Sequence, residues 1–385
     1  MTLRACPLCH GEVAYPLHGQ SLVPCYLLQR HVTVADALAA PCGDLAYRFC
    51  PRCEFVYNAA FEPEQMTYQV PYEASRSASP AFQAYLEARA ADLASRIDLT
   101  GKTVVEIGCG DGQFLRALRQ HAGFEGHGYD PSLSASSEVV PGVTLHAEAF
   151  TSTTVKPDVL IVRHVLEHIW DGPGFLAPLI PTDRSVLVYL EVPAWEWIVQ
   201  YRSLAAFQYE HCCYYSSEAL GQLQRALGAE QVAMARDFND GEYWCAYFEA
   251  GRPKFPQHLP QHTLLAKTLQ FAQQVSVQQT RLRQQLIDPT QRTVLWGAGG
   301  RGSGLLTGLG ITRKELQYVV DSNPARDGTF LPQTGQAVIA PVRLTTLVPA
   351  VQRIVMVTNA YHEEIRRQVQ QLQLTPAPLL EGLVA

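Results

Sequence analysis

Apolar residues recur along the chain at two periods. TVVEIGCG (103–110) is a short apolar run ending in glycines, which predicts a buried strand feeding a tight turn. FLRALRQH (114–121) then repeats its apolar positions at helical spacing, and GHGYD (126–130) predicts a second strand. VLIVRHV (159–165) and SVLVYLEV (185–192) are almost continuously apolar, as strands buried on both faces are. Upstream, PAFQAYLEARAADLASRI (80–97) has the spacing of an amphipathic helix. Strand and helix in alternation predict a doubly wound, parallel α/β sheet.

A second unit of the same kind opens at TVLWGAGGRGSGLL (293–306), with YVVD (318–321) and RIVMVTN (353–359) as further strands. GRPKFPQHLPQ (251–261) holds three prolines and reads as a linker, followed by a polar, Gln-rich helix at about 262–286. Residues 1–60 are rich in Cys and Pro and have no long helical period. The pattern divides the chain into residues 1–66, 67–255 and 256–385. No repeat beyond the two α/β halves is present, and no low-complexity segment.

Composition narrows the class. At 385 residues the chain is long enough for two or three domains. Its 47% hydrophobic and 17% charged residues suit packed cores. A net charge of −6 gives no basic footprint for nucleic acid or anionic membrane. Neither a secretory signal pattern nor an apolar run of membrane-spanning length is present, so a cytoplasmic protein is expected. Ten cysteines in a reducing compartment are expected as thiols or metal ligands.

Two C-x2-C pairs, Cys6–Cys9 and Cys50–Cys53, stand forty residues apart. Two residues between thiolates let a tight turn present both sulfurs to one ion. Four thiolates satisfy a tetrahedral Zn²⁺ and leave no open position, so the expected site is structural. Cys25 and Cys42, between the pairs, read as substitute ligands or as small buried side chains.

Glu106-Ile-Gly108-Cys-Gly110-Asp-Gly112 closes an apolar strand. Its glycines allow a sharp turn and close approach of a ligand to the backbone. Asp130 ends the next strand, where a carboxylate can accept from both hydroxyls of a ribose. His164 and His168 lie one helical turn apart after the fourth strand, a spacing that suits either a metal pair or a substrate pocket. Tyr209-Glu210-His211-Cys-Cys-Tyr214-Tyr215-Ser216 is the densest run of titratable and hydroxyl groups, and supplies candidate acid–base chemistry.

EIGCGDG…GYDPS resembles the cofactor motifs of class I S-adenosylmethionine-dependent methyltransferases. By that resemblance Glu106, Gly108, Gly110, Gly112, Asp130 and Pro131 line the cofactor. Ala147 and Glu148, after His146, lie by its adenine, and Arg163 and His164 by its methionine portion. With the cysteine pairs, Tyr68-x3-Tyr72-Glu73-x-Ser75, HVLEHI (164–169), EHxxYYS (210–216) and the GAGGRG…VVDSNPARDGTFLPQTG segment, the chain resembles three-domain C-methyltransferases of deoxysugar biosynthesis. The resemblance covers nearly the whole chain. It implies a class I methyltransferase sheet between a small N-terminal zinc domain and a C-terminal Rossmann-like substrate domain. It also implies a nucleotide-diphosphate sugar as small-molecule substrate and an enolate attacking the methyl group. Carried over, His211 is the base and Glu210 its neighbour in the motif, while Tyr72 and His168 hold the sugar or its enolate oxygen.

In that family the stretch before the histidine reads Tyr-His-Glu-His, whereas here it reads Gln208-Tyr209-Glu210-His211. A small shift lets Tyr209 take the tyrosine's place; another acceptor, methylated at oxygen, nitrogen or carbon, is the alternative. A non-catalytic zinc- and S-adenosylmethionine-binding scaffold is a third reading. Gly297-Ala-Gly299-Gly-Arg301-Gly302 satisfies G-x-G-x-x-G, with Asp321 about twenty residues on, which fits NAD, a diphosphate-bearing substrate helped by Arg301 or Arg326, or a purely structural turn.

Overall fold

The computed structural model describes residues 4–66, 79–152, 155–250, 263–357, 359–375 and 377–383, so Tyr72 and the expected linker at 251–261 lie outside them. The first sheet holds β1 (Tyr15–Pro24), β2 (Cys42–Phe49) and β3 (Val56–Asn58), all antiparallel. Both cysteine pairs sit on knuckles of one shape. The amides of Cys6 and Cys50 donate to Gly11 and Phe55, and His10 and Glu54 donate back to Cys6 and Cys50. His10 and Glu54 are left-handed, at φ 57° and 53°.

The second sheet comprises β4 (Thr103–Ile107), β5 (Glu125–Tyr129), β6 (Ser137–Val140), β7 (Val143–His146), β8 (Val159–Arg163) and β9 (Val186–Pro193), then, after a two-residue β10 (Cys213–Tyr214), β11 (Glu230–Asp237) and β12 (Tyr243–Ala250). Its order is β11-β12-β9-β8-β4-β5-β7-β6, parallel from β9 to β7 with antiparallel edges. The β11–β12 hairpin extends the sheet beyond the strands that the apolar runs predict. The helix before β4, Pro80–Arg96, starts on Pro80 with the Ser79 hydroxyl accepting from Phe82 N at 3.4 Å. The strand order reverses beside β4, and in such sheets ligands bind at the carboxyl ends there.

The third sheet is fully parallel: β13 (Thr293–Trp296), β14 (Tyr318–Val320), β15 (Ala337–Ile339), β16 (Arg353–Met356) and β17 (Leu379–Gly382), in the order β15-β14-β13-β16-β17. The Gln-rich helix, Leu265–Leu286, precedes it.

The three units interlock. β10 pairs with β3, so the segment carrying His211 leads into the N-terminal sheet. Glu54, on the second knuckle, accepts from Leu264 N at 3.0 Å, at the start of the Gln-rich helix. One core runs from the cysteine knuckles through β8 and β9 to Leu295 and Leu306. Among the described residues, no helix is long and apolar enough to cross a membrane.

Candidate functional site

The turn after β4 is built from left-handed glycines: Gly108, Gly110 and Gly112 have φ 66°, 53° and 77°. Each is held differently. A Cβ on Gly108 would stand 2.5 Å from Val165 Cγ2, and one on Gly112 2.9 Å from Leu145 Cδ2, so both close onto the protein. Among the described residues a Cβ on Gly110 meets nothing within 4 Å, so its face opens onto the crevice. Asp130 closes the turn from the end of β5. Its Oδ2 accepts from Gly110 N at 2.9 Å, and its Oδ1 from Ser132 N at 2.9 Å and Ser132 Oγ at 2.6 Å. Pro131 is exposed beside it. At the end of β7, His146 stacks on Tyr129 at 4.4 Å, Ala147 N donates to Ser136 Oγ at 2.9 Å, and Glu148 is exposed.

Glu106 and Arg163 depart from their expected place. Both are buried, at 2% and 8% exposure. Arg163 binds Glu191 through two bonds, Nε–Oε1 at 2.8 Å and Nη2–Oε2 at 3.1 Å, and lies 4.2 Å over the Phe114 ring. Its Nη1 is 3.7 Å from Glu106 Oε1. They support the turn from beneath rather than line a ligand, because parallel pairing sets Arg163 opposite Glu191 in the sheet interior. One cation thus serves two carboxylates. Burial raises Glu106 to about 8, with Arg163 only partly opposing it and Glu191 adding to it. Burial works against the Glu191 charge too, but Arg163 and His164 overcome it and hold that carboxyl well below its usual range. Tyr85 and Tyr189 also donate to Glu191.

Beyond β8, His164 turns the chain with φ 55°. The short turn Leu166–His168 follows, placing Glu167 inside at 1% exposure. His168 meets His211 edge-to-face, with centroids 4.8 Å apart and planes at 88°. His211 Nδ1 lies 3.2 Å from Tyr214 Oη, and Tyr214 Oη also makes a short hydrogen bond to the Ala206 carbonyl. A hydroxyl has one proton to give. Given to Ala206, that proton makes Tyr214 an acceptor toward His211, which places the imidazole proton on Nδ1 and the lone pair on Nε2. Glu167, His168 and His211 offer ligand-type atoms all within 4.8 Å of one another; among the described residues the other such group is Cys6, Cys9, Cys50 and Cys53.

The segment 208–211 is tied to the N-terminal unit. Tyr47 Oη donates between the carbonyls of Gln208, at 2.7 Å, and His211. Glu210 Oε1 accepts from Leu27 N at 3.0 Å. Tyr209, expected near the chemistry, packs its ring on Gly43 and Phe61, and its hydroxyl accepts from Glu62 N at 3.0 Å. Residues 209–210 form a bend rather than a strand, so no alternation ties the two side chains, and Tyr209 falls to the structural seam. Tyr72 lies outside the described residues. Glu167 and Glu191 are residues that motif reading passed over; their signal was a carboxylate inside each apolar strand-end run, VLEHI and YLEVP.

In the C-terminal unit Asp321 repeats the Asp130 device, accepting from Ala298 N at 2.8 Å and Asn323 N at 2.9 Å. Arg326 is buried, and its Nη1 donates to Ala298 O at 3.2 Å, so it braces the turn from behind. Arg301, on the helix Gly300–Gly308, pairs with Glu242 and lies 5.2 Å over Trp197.

Residues 82–233 match the family model of the methyltransferase domain, and residues 261–376 that of the C-methyltransferase C-terminal domain. The chain is an S-adenosylmethionine-dependent methyltransferase. The central unit of this methyltransferase has the class I fold. Among solved structures, the enzyme is similar to magnesium protoporphyrin IX methyltransferase (ChlM) of Synechocystis PCC 6803 with bound SAM, at 16% identity over 45% of this chain and 80% of that one, TM-score 0.33. The plantazolicin methyltransferase BpumL with SAH is 13% identical over 46% and 86%, TM-score 0.33. The putative methyltransferase bound to the Haloferax volcanii Trm112 activator is 15% identical over 46% and 96%, TM-score 0.34. No curated protein matches the sequence significantly.

Proposed function

We propose that this methyltransferase alkylates a carbon beside a ketone in a nucleotide-linked keto sugar, with His211 as the base. The observation carrying the reading is the perpendicular His168–His211 pair, with Tyr214 placing the His211 lone pair on Nε2. The match of residues 261–376 to a C-methyltransferase C-terminal domain supports carbon as the acceptor.

Gly108, Gly110, Gly112, Asp130 and Ala147 would hold the cofactor. The open face of Gly110 and the carboxylate ending β5 fit an adenosyl group, since bare backbone admits close approach and a carboxylate accepts from ribose hydroxyls. When bound, S-adenosylmethionine supplies an electrophilic methyl group and departs as a neutral thioether. His211 Nε2 takes the proton from the carbon beside the ketone, and the freed electron pair moves onto that carbon and the carbonyl oxygen. His168 stabilises the charge growing on that oxygen. Such a carbon acid is weak, so the reaction needs base and oxyanion partner together. The imidazolium of His211 then returns its proton to solvent.

Among the described residues the helix start at Gly299–Gly300 carries no side-chain cap, and a Cβ on Gly299 meets nothing within 4 Å. Backbone amides there suit the substrate's diphosphate, and Arg301, on the same helix, adds its charge by exchanging Glu242 for the phosphate. Arg326, spent on Ala298 O, braces this turn. Cys6, Cys9, Cys50 and Cys53 would hold a structural Zn²⁺: their sulfurs pair at 3.7 Å (Cys6–Cys53) and 3.5 Å (Cys9–Cys50), the edge lengths of a tetrathiolate site.

The test is release of S-adenosylhomocysteine against a panel of nucleotide-linked keto sugars, with His211→Asn alongside. Turnover with a keto sugar, lost in His211→Asn while cofactor binding stays, supports the reading. Turnover only with acceptors lacking a ketone, or retained by His211→Asn, refutes it.

A further inference from the structure

We propose that Glu167 is a positioning residue for this chemistry, an ionised carboxylate buried behind the His168–His211 pair that orients both imidazoles and strengthens His211 as a base. The inference rests on the reading of His211 as the base.

Glu167 is 1% exposed, and its Oε2 has no hydrogen-bond partner among the described residues. Its Oε1 lies 3.6 Å from His164 Nδ1, at the end of β8. His168 on its own turn and His211 before β10 present nitrogens within 4.8 Å of its carboxylate. From the β10 segment Cys213, Tyr214 and Tyr215 feel its charge, with Arg301 beyond Tyr214. Three imidazoles therefore surround one buried carboxylate. The next carboxylate, Glu191, is 3.5 Å from His164 Nε2 and is already taken by Arg163, Tyr85 and Tyr189. Glu210, the acid adjacent to His211 in sequence, accepts instead from Leu27 N.

Burial alone disfavours the charge on Glu167, but the imidazoles more than offset it and bring the carboxyl to about 2. It is therefore ionised at neutral pH. The coupling is reciprocal for the proposed base: a carboxylate within 4.8 Å of the His211 nitrogen favours the protonated imidazole. An opposite charge within about 4–6 Å moves a pKa by about 1–3 units. His211 gains basicity when it accepts the substrate proton, and no proton passes to Glu167.

The test is ¹H–¹³C NMR of histidine-labelled, zinc-loaded full-length protein with S-adenosylhomocysteine, comparing the unsubstituted chain with Glu167→Gln. His211 is expected to titrate above the ordinary value of about 6.5 in the unsubstituted protein. In Glu167→Gln that midpoint falls by a unit or more, cofactor affinity is kept, kcat drops more than tenfold, and the rising limb of the pH–rate profile moves to lower pH. Glu167→Asp recovers part of the midpoint. Midpoints that stay put in a folded Glu167→Gln protein overturn the proposal. So does a His211 midpoint below about 6.5 in the unsubstituted chain, a measurement that stands if the variant fails to fold. Histidine shifts abolished by EDTA, reporting a metal held by Glu167, His168 and His211, also overturn it. Retained turnover in His211→Asn sinks the base reading separately, because the Glu167 midpoints need no turnover.

Discussion

Gly110→Ala separates the cofactor crevice from the protein's own packing. Gly110 is left-handed at φ 53°, where an alanine costs about 1–2 kcal/mol. Its new Cβ touches no atom within 4 Å among the described residues, so there the backbone cost is the effect on folding. For a unit of this size it lowers Tm by about 2–8 °C, at about 2–4 °C per kcal/mol. The methyl then occupies the face where the adenosyl group would rest. S-Adenosylmethionine affinity is expected to fall at least tenfold, about 1.4 kcal/mol. Gly108→Ala is the control: its Cβ lies 2.5 Å from Val165 Cγ2, so it loses more stability for a reason internal to the fold. Scanning calorimetry and isothermal titration read the two effects apart. Unchanged cofactor affinity in a folded Gly110→Ala protein refutes the placement of the crevice.

Asp130→Ala removes both the expected ribose acceptor and the partner of Gly110 N, and should abolish S-adenosylmethionine binding in calorimetry; wild-type affinity would falsify the assignment. Metal analysis should find about one zinc per chain. Chelation, or Cys50→Ser, should cut turnover more than cofactor binding, because the N-terminal unit grips residues 208–211 through Tyr47, Leu27 and Glu62; a metal-free protein of full activity contradicts this. Glu106 has a raised folded value of about 8, so the native state holds an extra proton and stability declines as pH rises from about 4.5 to 8. Glu106→Gln should remove that decline, seen as a Tm gap over wild type that widens toward pH 8; a constant gap shows that Glu106 is not protonated in the fold.

Local patterns carried much of this protein. The apolar runs at 103–107, 159–163 and 186–193 could only be buried strands, and the glycines after Ile107 could only serve a turn needing φ above zero. The paired C-x2-C spacing is likewise local, since each knuckle closes within six residues. The β11–β12 hairpin was harder to see, because Glu230–Asp237 is largely exposed and lacks a clean alternation. Buried carboxylates were harder still. Glu191 looks like a polar interruption in an apolar strand until the register puts Arg163 across from it. Tyr209 shows the converse, since residue type suggested chemistry and its surroundings made it packing.

By itself, then, the sequence determined the elements, the two Gly-rich turns, the cysteine knuckles and the methyl-donor class, because each depends on residues within about thirty positions. Only the tertiary structure decided which groups face one another. Interaction energies fall with distance in space and not along the chain. Glu167 therefore lies with His211, forty-four positions on, while Glu210, next to it, bonds the N-terminal unit.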